Sequence, residues 1–453
     1  MKKNKFFALT LSGALALTTG LICNTSTVYA HEHGAKQNGT KQSFSDNTLA
    51  DVIFGGDLNV QLRYRYQFLD VQGFENDAHA STIRALVKYE TKPIYGVSLL
   101  GEVRNVQRLG NGRLFNDSIN GVSDRPTIAD PDALEIDQAF IRLNDIIPET
   151  EVSVGRRKIA LNNQRFISTL PFRQNANSFD GFVIENTSLP NTTLHYSYAF
   201  NFNRAFTDDS PSGNFDEADF NLFHAEHTFS DALKLVGYGY LLGIEDDSFS
   251  GAERLATDTF GVNAKGKYVL DDTWSLHYDL EYANQVENAD NSENINLNYY
   301  RIVPGISYKN FRVNVGYEVL EGDGNIGFST PLALLHAFNG FADVFVNTPT
   351  NGLEDRYINA TYWFRENSGV KIGGYDVLKN TSFHVAYHDF SAENDGTDFG
   401  SEIDVSIKKK FGNGLTLVFE YANFQTDNDV VTSTSAAFER DVNQFYTALI
   451  YNF

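Results

Sequence analysis

Strict alternation of apolar and polar side chains, sustained over long stretches from residue 57 onward, restricts this chain more than any other feature. In Leu58-Asn59-Val60-Gln61-Leu62-Arg63-Tyr64-Arg65-Tyr66-Gln67-Phe68 every even position is apolar or aromatic and every odd one is polar. Successive side chains of a strand point to opposite faces, so one face is greasy and the other carries Arg and Gln. The pattern returns at Leu194, Tyr196, Tyr198, Phe200 and Phe202, which alternate with His195, Ser197, Ala199, Asn201 and Asn203. It returns again over Trp274–Tyr282, over Phe311–Val319 and over Ile403–Lys408.

A soluble sandwich also alternates, with its greasy face inward. Three features point instead to a membrane barrel. The stretches run about ten residues, which suits a tilted bilayer crossing better than the usual five or six. The connections alternate between short and long. Short turns are expected near Lys92–Ile94, Asp145–Glu149, Ser188–Asn191, Ser230–Ala232, Asp271–Asp272, Lys309–Asn310, Glu366–Lys379 and Gly412–Gly414. Long loops are expected near 69–80, 107–133, 158–178, 204–218, 244–256, 284–294, 322–353, 391–399 and 425–442. Short periplasmic turns with longer outer loops are the asymmetry of bacterial outer-membrane barrels. Finally, Phe445, Thr447, Leu449, Tyr451 and Phe453 share one face at the end of the chain, and such a terminal strand is the expected signal for the outer-membrane assembly machinery.

The turns and loops predict an all-β fold: a transmembrane antiparallel β-barrel of about eighteen strands, an even number as this architecture requires. Closure pairs every backbone group, which lipid demands. Eighteen strands enclose more space than their own side chains fill, so an aqueous lumen is expected.

Composition agrees. There are 36 Phe and 23 Tyr but only two Trp, one Met and one Cys; Phe and Tyr favour strands and form the interface girdles of membrane barrels. The net charge of −22 excludes a nucleic-acid partner that works through a basic face. Residues 1–30 read as a signal peptide: Lys2, Lys3 and Lys5 open it, an apolar run follows from Phe6 to Ile22, and Val28-Tyr29-Ala30 supplies the cleavage site. Removing it takes the charge from −22 to −25 and removes Cys23, which leaves no disulfide or thiolate metal site. Residues 31–50 are polar and expected to be flexible; His31 and His33 flanking Glu32 are a weak metal motif there. Residues 51–453 form the expected barrel, placed in the outer membrane of a Gram-negative bacterium. Its partners are then outer-membrane lipid and lipopolysaccharide, and the working unit is expected to be a monomer.

Face parity sends Arg63, Arg65, Arg84, Lys88, Arg104, Arg142, Arg157, Arg301 and Arg312 to the lumen, together with Glu90, Glu102, Asp279, Glu281, Glu318, Asp404 and Glu420. Charges of this number facing lipid would be very costly. A cationic lining attracts anions; alternatively, Arg and Glu pair across the wall and hold its shape. The loops carry the acidic runs Glu245-Asp246-Asp247, Glu287-Asn288-Ala289-Asp290, Glu393-Asn394-Asp395 and Asp427-Asn428-Asp429. These could hold Ca²⁺ or Mg²⁺, but none has EF-hand spacing, and solvated loop tips are the plainer reading. No cofactor is expected.

Two segments do more than alternate. One runs Gly155-Arg156-Arg157-Lys158-Ile159-Ala160-Leu161-Asn162-Asn163-Gln164-Arg165-Phe166 and on through Phe172-Arg173-Gln174-Asn175 to Phe179-Asp180-Gly181-Phe182. The other runs Thr330-Pro331-Leu332, Leu335-His336-Ala337-Phe338-Asn339-Gly340-Phe341-Ala342-Asp343 and Thr348-Pro349-Thr350-Asn351-Gly352-Leu353-Glu354-Asp355. Both resemble the alginate-export family of outer-membrane porins, and the similarity runs from about residue 51 to the C-terminus. The resemblance implies an eighteen-stranded barrel whose pore arginines pass a polyuronate. By motif match it puts Arg156, Arg157, Asn163, Gln164, Arg165, Arg173 and Gln174 at or near the pore. It implies fold and channel class more firmly than substrate.

The expected function is therefore passive diffusion of polar or anionic solutes, such as uronates or oligosaccharides, through an Arg-bearing lumen. An adhesion or receptor barrel working through its long loops is the alternative. Catalysis has little support. Gly322-Asp323-Gly324-Asn325-Ile326-Gly327 matches a dinucleotide fingerprint, but no crossover helix follows. HExxH, P-loop and GxSxG motifs are missing. A barrel phospholipase needs a Ser–His pair near the interface, whereas parity turns His384 and His388 to the lumen.

Overall fold

The structure, a computed structural model, describes residues 49–453 apart from 211–212, 245–251, 290, 292, 366–367, 373 and 428–435. The expected signal peptide, nearly all of the polar 31–50 segment, the whole acidic run 245–247 and parts of the runs 287–290 and 427–429 lie outside these residues. A short helix, α1 (Leu49–Phe54), straddles the expected start of the barrel. Its end is tied to the wall, where Lys92 N–H donates to the Val52 carbonyl and Gly56 N–H to the Tyr89 hydroxyl.

The wall strands are β1 (Asp57–Val71), β2 (Ala78–Glu90), β3 (Val97–Arg108), β4 (Ala133–Asn144), β5 (Thr150–Arg157), β6 (Ser178–Asn186), β7 (Thr192–Asn203), β8 (Ala218–Ser230) and β9 (Leu233–Ile244). They continue with β10 (Thr257–Val269), β11 (Trp274–Glu287), β12 (Asn296–Tyr308), β13 (Phe311–Leu320) and β14 (Leu353–Phe364). A two-residue ladder of β15 (Lys371–Ile372) and β16 (Tyr375–Asp376) sits in the next turn, before β17 (Thr381–Ser391), β18 (Asp398–Lys410), β19 (Leu415–Gln425) and β20 (Val442–Asn452). Each wall strand pairs antiparallel with its neighbour, and β20 pairs back onto β1 from Gln61↔Asn452 to Val71↔Val442. The sheet is a closed barrel of eighteen strands. Each of the expected eight short turns and nine long loops corresponds to a connection between observed wall strands, although the strands reach into some of them, as β1 and β2 do into 69–80 and β11 into 284–294.

This barrel is apolar outside and polar inside. Leu276, Leu280, Ile302, Ile306, Val315, Ile358 and Ile403 are exposed on the outer face, while Arg63, Arg65, Gln67, Arg104, Glu281 and Glu318 are buried within. Aromatic residues flank the aliphatic band on both sides. Trp274 and Tyr308 pack at 4.6 Å toward the short turns, and Tyr282 and Tyr300 pack at 5.4 Å toward the long loops. That arrangement matches a bilayer's hydrocarbon slab and its two interfaces.

One expectation fails locally. Phe202 shares parity with outward Phe200 but is fully buried inside. The register slips between Asp180↔Asn201 and Gly181↔Ala199, leaving Phe200 as an extra residue. An inserted residue exchanges the faces beyond it, so Phe202 turns inward against Phe179 at 4.7 Å.

Candidate functional site

Strand side chains alone do not occupy the interior; two loops do so from within. The β5–β6 loop (158–177) and the β13–β14 loop (321–352) meet inside the barrel. Ser168 N–H donates to the Leu332 carbonyl and Leu334 N–H to the Gln164 carbonyl, both at 2.9 Å. Phe172 and the His336 ring stack with centroids 3.4 Å apart. Phe166, Ile167, Phe328, Leu332 and Phe345 are buried among inward residues of the wall such as Phe220, Leu222 and Tyr299. The two segments that departed from alternation in the sequence are these two loops.

The arginines expected in the lumen anchor this inserted body. Arg63 donates to the carbonyls of Pro171 (2.9 Å), Phe172 (2.6 Å) and Arg173 (3.2 Å) and to the Tyr446 hydroxyl (2.8 Å). Arg65 donates to the Phe172 carbonyl at 3.0 Å and ion-pairs with buried Asp130 at 2.9 Å. Arg84 reaches the Gln174 carbonyl at 3.2 Å and also the Gln61 side chain. Gln174 returns a bond to Thr82 at 2.9 Å. Opposite β1 and β2, Arg165 pairs with Glu318 at 2.8 Å and with Asn339 at 2.9 Å, and Asn163 donates to Glu281 at 3.0 Å. The loops therefore bridge the lumen from β1–β2 to β11–β13. A fixed guanidinium fork suits this task because it satisfies several carbonyls or a carboxylate at once.

The remaining expected positions divide into four groups. Arg104 pairs with Glu135 and, at 2.8 Å, with Asp137; Arg142 pairs with Glu90 and Glu151; Arg157 pairs with Glu151 at 2.7 Å; Arg301 pairs with Asp279 at 2.8 Å. Arg173 lies on the inserted loop, 3.7 Å from Asp343. Arg156 stands apart from the lumen set. It has the parity of exposed Val154, opposes Ala139 in the ladder and binds Asp180 bidentately at 2.7 and 2.8 Å. Arg312 has no ion pair among the described residues; its Nε donates to Ser307 at 3.2 Å and its guanidinium lies over the Trp363 ring at 5.6 Å.

Across from the arginines, the β13–β14 loop docks on carboxylates. Phe341 N–H donates to Asp404 at 3.2 Å and Ala342 N–H to Glu402 at 2.7 Å. His388 bonds Asp355 at 2.9 Å on the same inward face, which accounts for its burial without any catalytic partner. His336 sits between Asp343 (3.1 Å) and wall residue Glu420 (3.3 Å). Burial pulls its pKa down, but the two carboxylates outweigh burial and hold it at about 9, so the ring is an imidazolium. Burial likewise pushes the Asp343 and Asp130 carboxyls up, and the cations beside them bring both below the ordinary value.

Among the described residues, no group of three or more His, Asp and Glu side chains is arranged to hold a metal ion. The described acidic loop residues hold loop structure: Glu287 accepts Ile295 N–H at 2.8 Å, and Asp395 accepts Thr397 N–H at 3.0 Å and the Asn351 amide of a neighbouring loop at 3.2 Å. In the fingerprint-like segment, Gly322 and Gly327 bridge and Asp323 caps the amides of Asn325 and Ile326 at 2.8 Å, giving a closed turn with no phosphate cradle.

The family model described as alginate export matches residues 33–327, well over half of the chain. The chain belongs to the alginate-export family. As a member of that family with a closed wall of this kind, it is an outer-membrane channel barrel. Comparison with curated proteins found no match. Solved barrels with the same fold include Pseudomonas aeruginosa OccD3 (OpdP), at 16% identity and TM-score 0.63 over 89% of this chain and 92% of that one. P. aeruginosa OpdK, solved with vanillate, matches at 16% and 0.65 over 88% and 98%. Acinetobacter baumannii OccAB2 matches at 16% and 0.66 over 89% and 99%. At such identity the likeness is one of fold.

Sequence parity did not single out some of the residues that build this family member's interior. His336, Asp343 and Asp130 lie on loops, where no period applies. Trp363 was readable, since the parity that turns Thr361 inward continues to it, whereas Arg365 lies just past the strand, where no period applies.

Proposed function

We propose that this barrel passes polar and anionic solutes by passive diffusion, with sugar acids such as uronates as its natural cargo class. The observation that carries the reading is the pairing of an eighteen-strand closed wall with a polar, charge-bearing interior. The inserted loops narrow that interior, so solutes are filtered by size and charge. Anion preference follows from Arg312 and the neighbouring cations, which keep their charge un-neutralised on the inner face while the acids nearby are paired. The arginines Arg63, Arg65, Arg84 and Arg165 act in this scheme by holding the loops in position, and Arg173 lines the junction between them.

Liposome swelling tests the reading. Proteoliposomes in isosmotic galacturonate should swell faster than those in a neutral disaccharide of larger size, and protein-free liposomes should not swell. Equal rates for all solutes, or no swelling at all, would sink it.

A further inference from the structure

A run of cations without carboxylate ion pairs among the described residues occupies the short-turn end of the β10–β18 arc. Lys267, Arg312, Arg365, Lys408 and Lys410 make no ion pair among the described residues. Other inward cations are neutralised: Arg142 by Glu90 and Glu151 and Arg157 by Glu151 across the barrel, and Lys234 by Glu226 next to the arc, where β9 pairs with β10. In a chain of net charge −22, an unbalanced basic arc is not a by-product of composition.

The arc is continuous along the inner face. Lys267 opposes His277, whose Nε2 lies 2.8 Å from Ser307 Oγ, and Ser307 opposes Arg312. Arg312 opposes Thr361; two residues on, Trp363 opposes Ser382, which opposes Lys408. Trp363 is at the centre, with the Arg312 and Arg365 guanidinium carbons each 5.6 Å from its ring. An indole with two guanidinium groups over its ring suits one ligand shape: a ring that packs against the indole and carries a carboxylate within reach of the forks. The ring buries apolar C–H or π surface, and the fork takes the carboxylate bidentately.

We propose that Trp363, Arg312 and Arg365, backed by Lys267 and Lys408, form a docking site for ring carboxylates at the periplasmic mouth. Its place there rests on the channel reading, since short turns face the periplasm. Its ligand chemistry does not. The site concentrates anionic solute where it meets the lumen, before the loop-filled constriction.

The protein contains two tryptophans, and Trp274 is on the outer face. In detergent-solubilised Trp274→Phe protein, Trp363 is then the only indole reporter. Titration with trigalacturonate (a sugar acid) and with benzoate (an aromatic acid) should quench or shift its emission saturably for at least one, and this identifies the source of the ring. Neutral maltotriose should bind at least tenfold more weakly. Adding Arg312→Gln and Arg365→Gln should weaken carboxylate binding about tenfold or more; if that variant does not refold, Arg365→Gln alone should weaken it severalfold. Maltotriose binding as tightly as the acids, or acid binding unmoved by these substitutions, would overturn the site. The binding readout needs no conduction, so a barrel that binds without conducting would count against the channel reading alone.

Discussion

His336 joins the inserted loop to the wall through a charge, and that makes its contribution depend on pH. Its folded pKa of about 9 is above the ordinary 6.5, so the stabilisation is fully present below about 6.5 and is lost as pH rises through 9. Open-channel current noise should therefore rise between about pH 6 and about pH 10 in the native protein, and His336→Gln should show the noisier behaviour throughout that range. Identical pH profiles for the two proteins would remove His336 from this role. Gly340 sets a second residue-scale constraint. Its φ is +86°, and a Cβ added there would lie 2.5 Å from the Glu402 carboxylate. Gly340→Ala should cost the loop about 1–2 kcal/mol from backbone conformation alone. The expected result is faster protease cleavage within 321–352, with the heat-resistant barrel intact; unchanged cleavage would contradict the tight approach.

At the scale of elements, wall and loops were unequally legible. Period two exposes the wall because one face meets lipid and the other meets polar interior, so Leu280 and Glu281 are sorted by a large energy difference. Leu280→Arg should accordingly destabilise the barrel by about 2–4 kcal/mol in lipid-vesicle unfolding; an unaffected midpoint would mean that this face does not meet lipid. The faces misled only where a bulge intervenes, at Phe200–Phe202, because an extra residue leaves no mark in an otherwise alternating string. The 158–177 and 321–352 loops stood out as non-alternating, yet their inward course could not be read, since it depends on long-range bonds such as Arg63 to Phe172 and Arg165 to Glu318. The sequence suggested Arg65 as a pore charge; the structure gives it buried Asp130 as a counter-ion. Arg65→Ala removes that buried carboxylate's nearest counter-ion, a loss of up to about 3–5 kcal/mol. Hydrogen exchange across the loop 158–177 should accelerate accordingly, and protection equal to the native protein would show that the anchor lies elsewhere.

For the whole molecule, an exterior of aliphatic and aromatic side chains, a closed antiparallel wall and a charged interior belong to one physical solution. Lipid forbids unpaired backbone, so the sheet closes; eighteen strands then leave space that loops partly reclaim. Of the arginines read from the sequence, Arg63, Arg65, Arg84 and Arg165 hold those loops, while Arg104, Arg142, Arg157 and Arg301 pair with carboxylates. In the proposed scheme the cations at the short-turn end provide the net field felt by a passing ion. Single-channel recording in planar bilayers with a salt gradient tests this account most directly. It predicts discrete conductance steps with a reversal potential on the anion-selective side, moved toward zero by Arg312→Gln with Arg365→Gln. Absence of steps, or a cation-selective reversal potential, would contradict it.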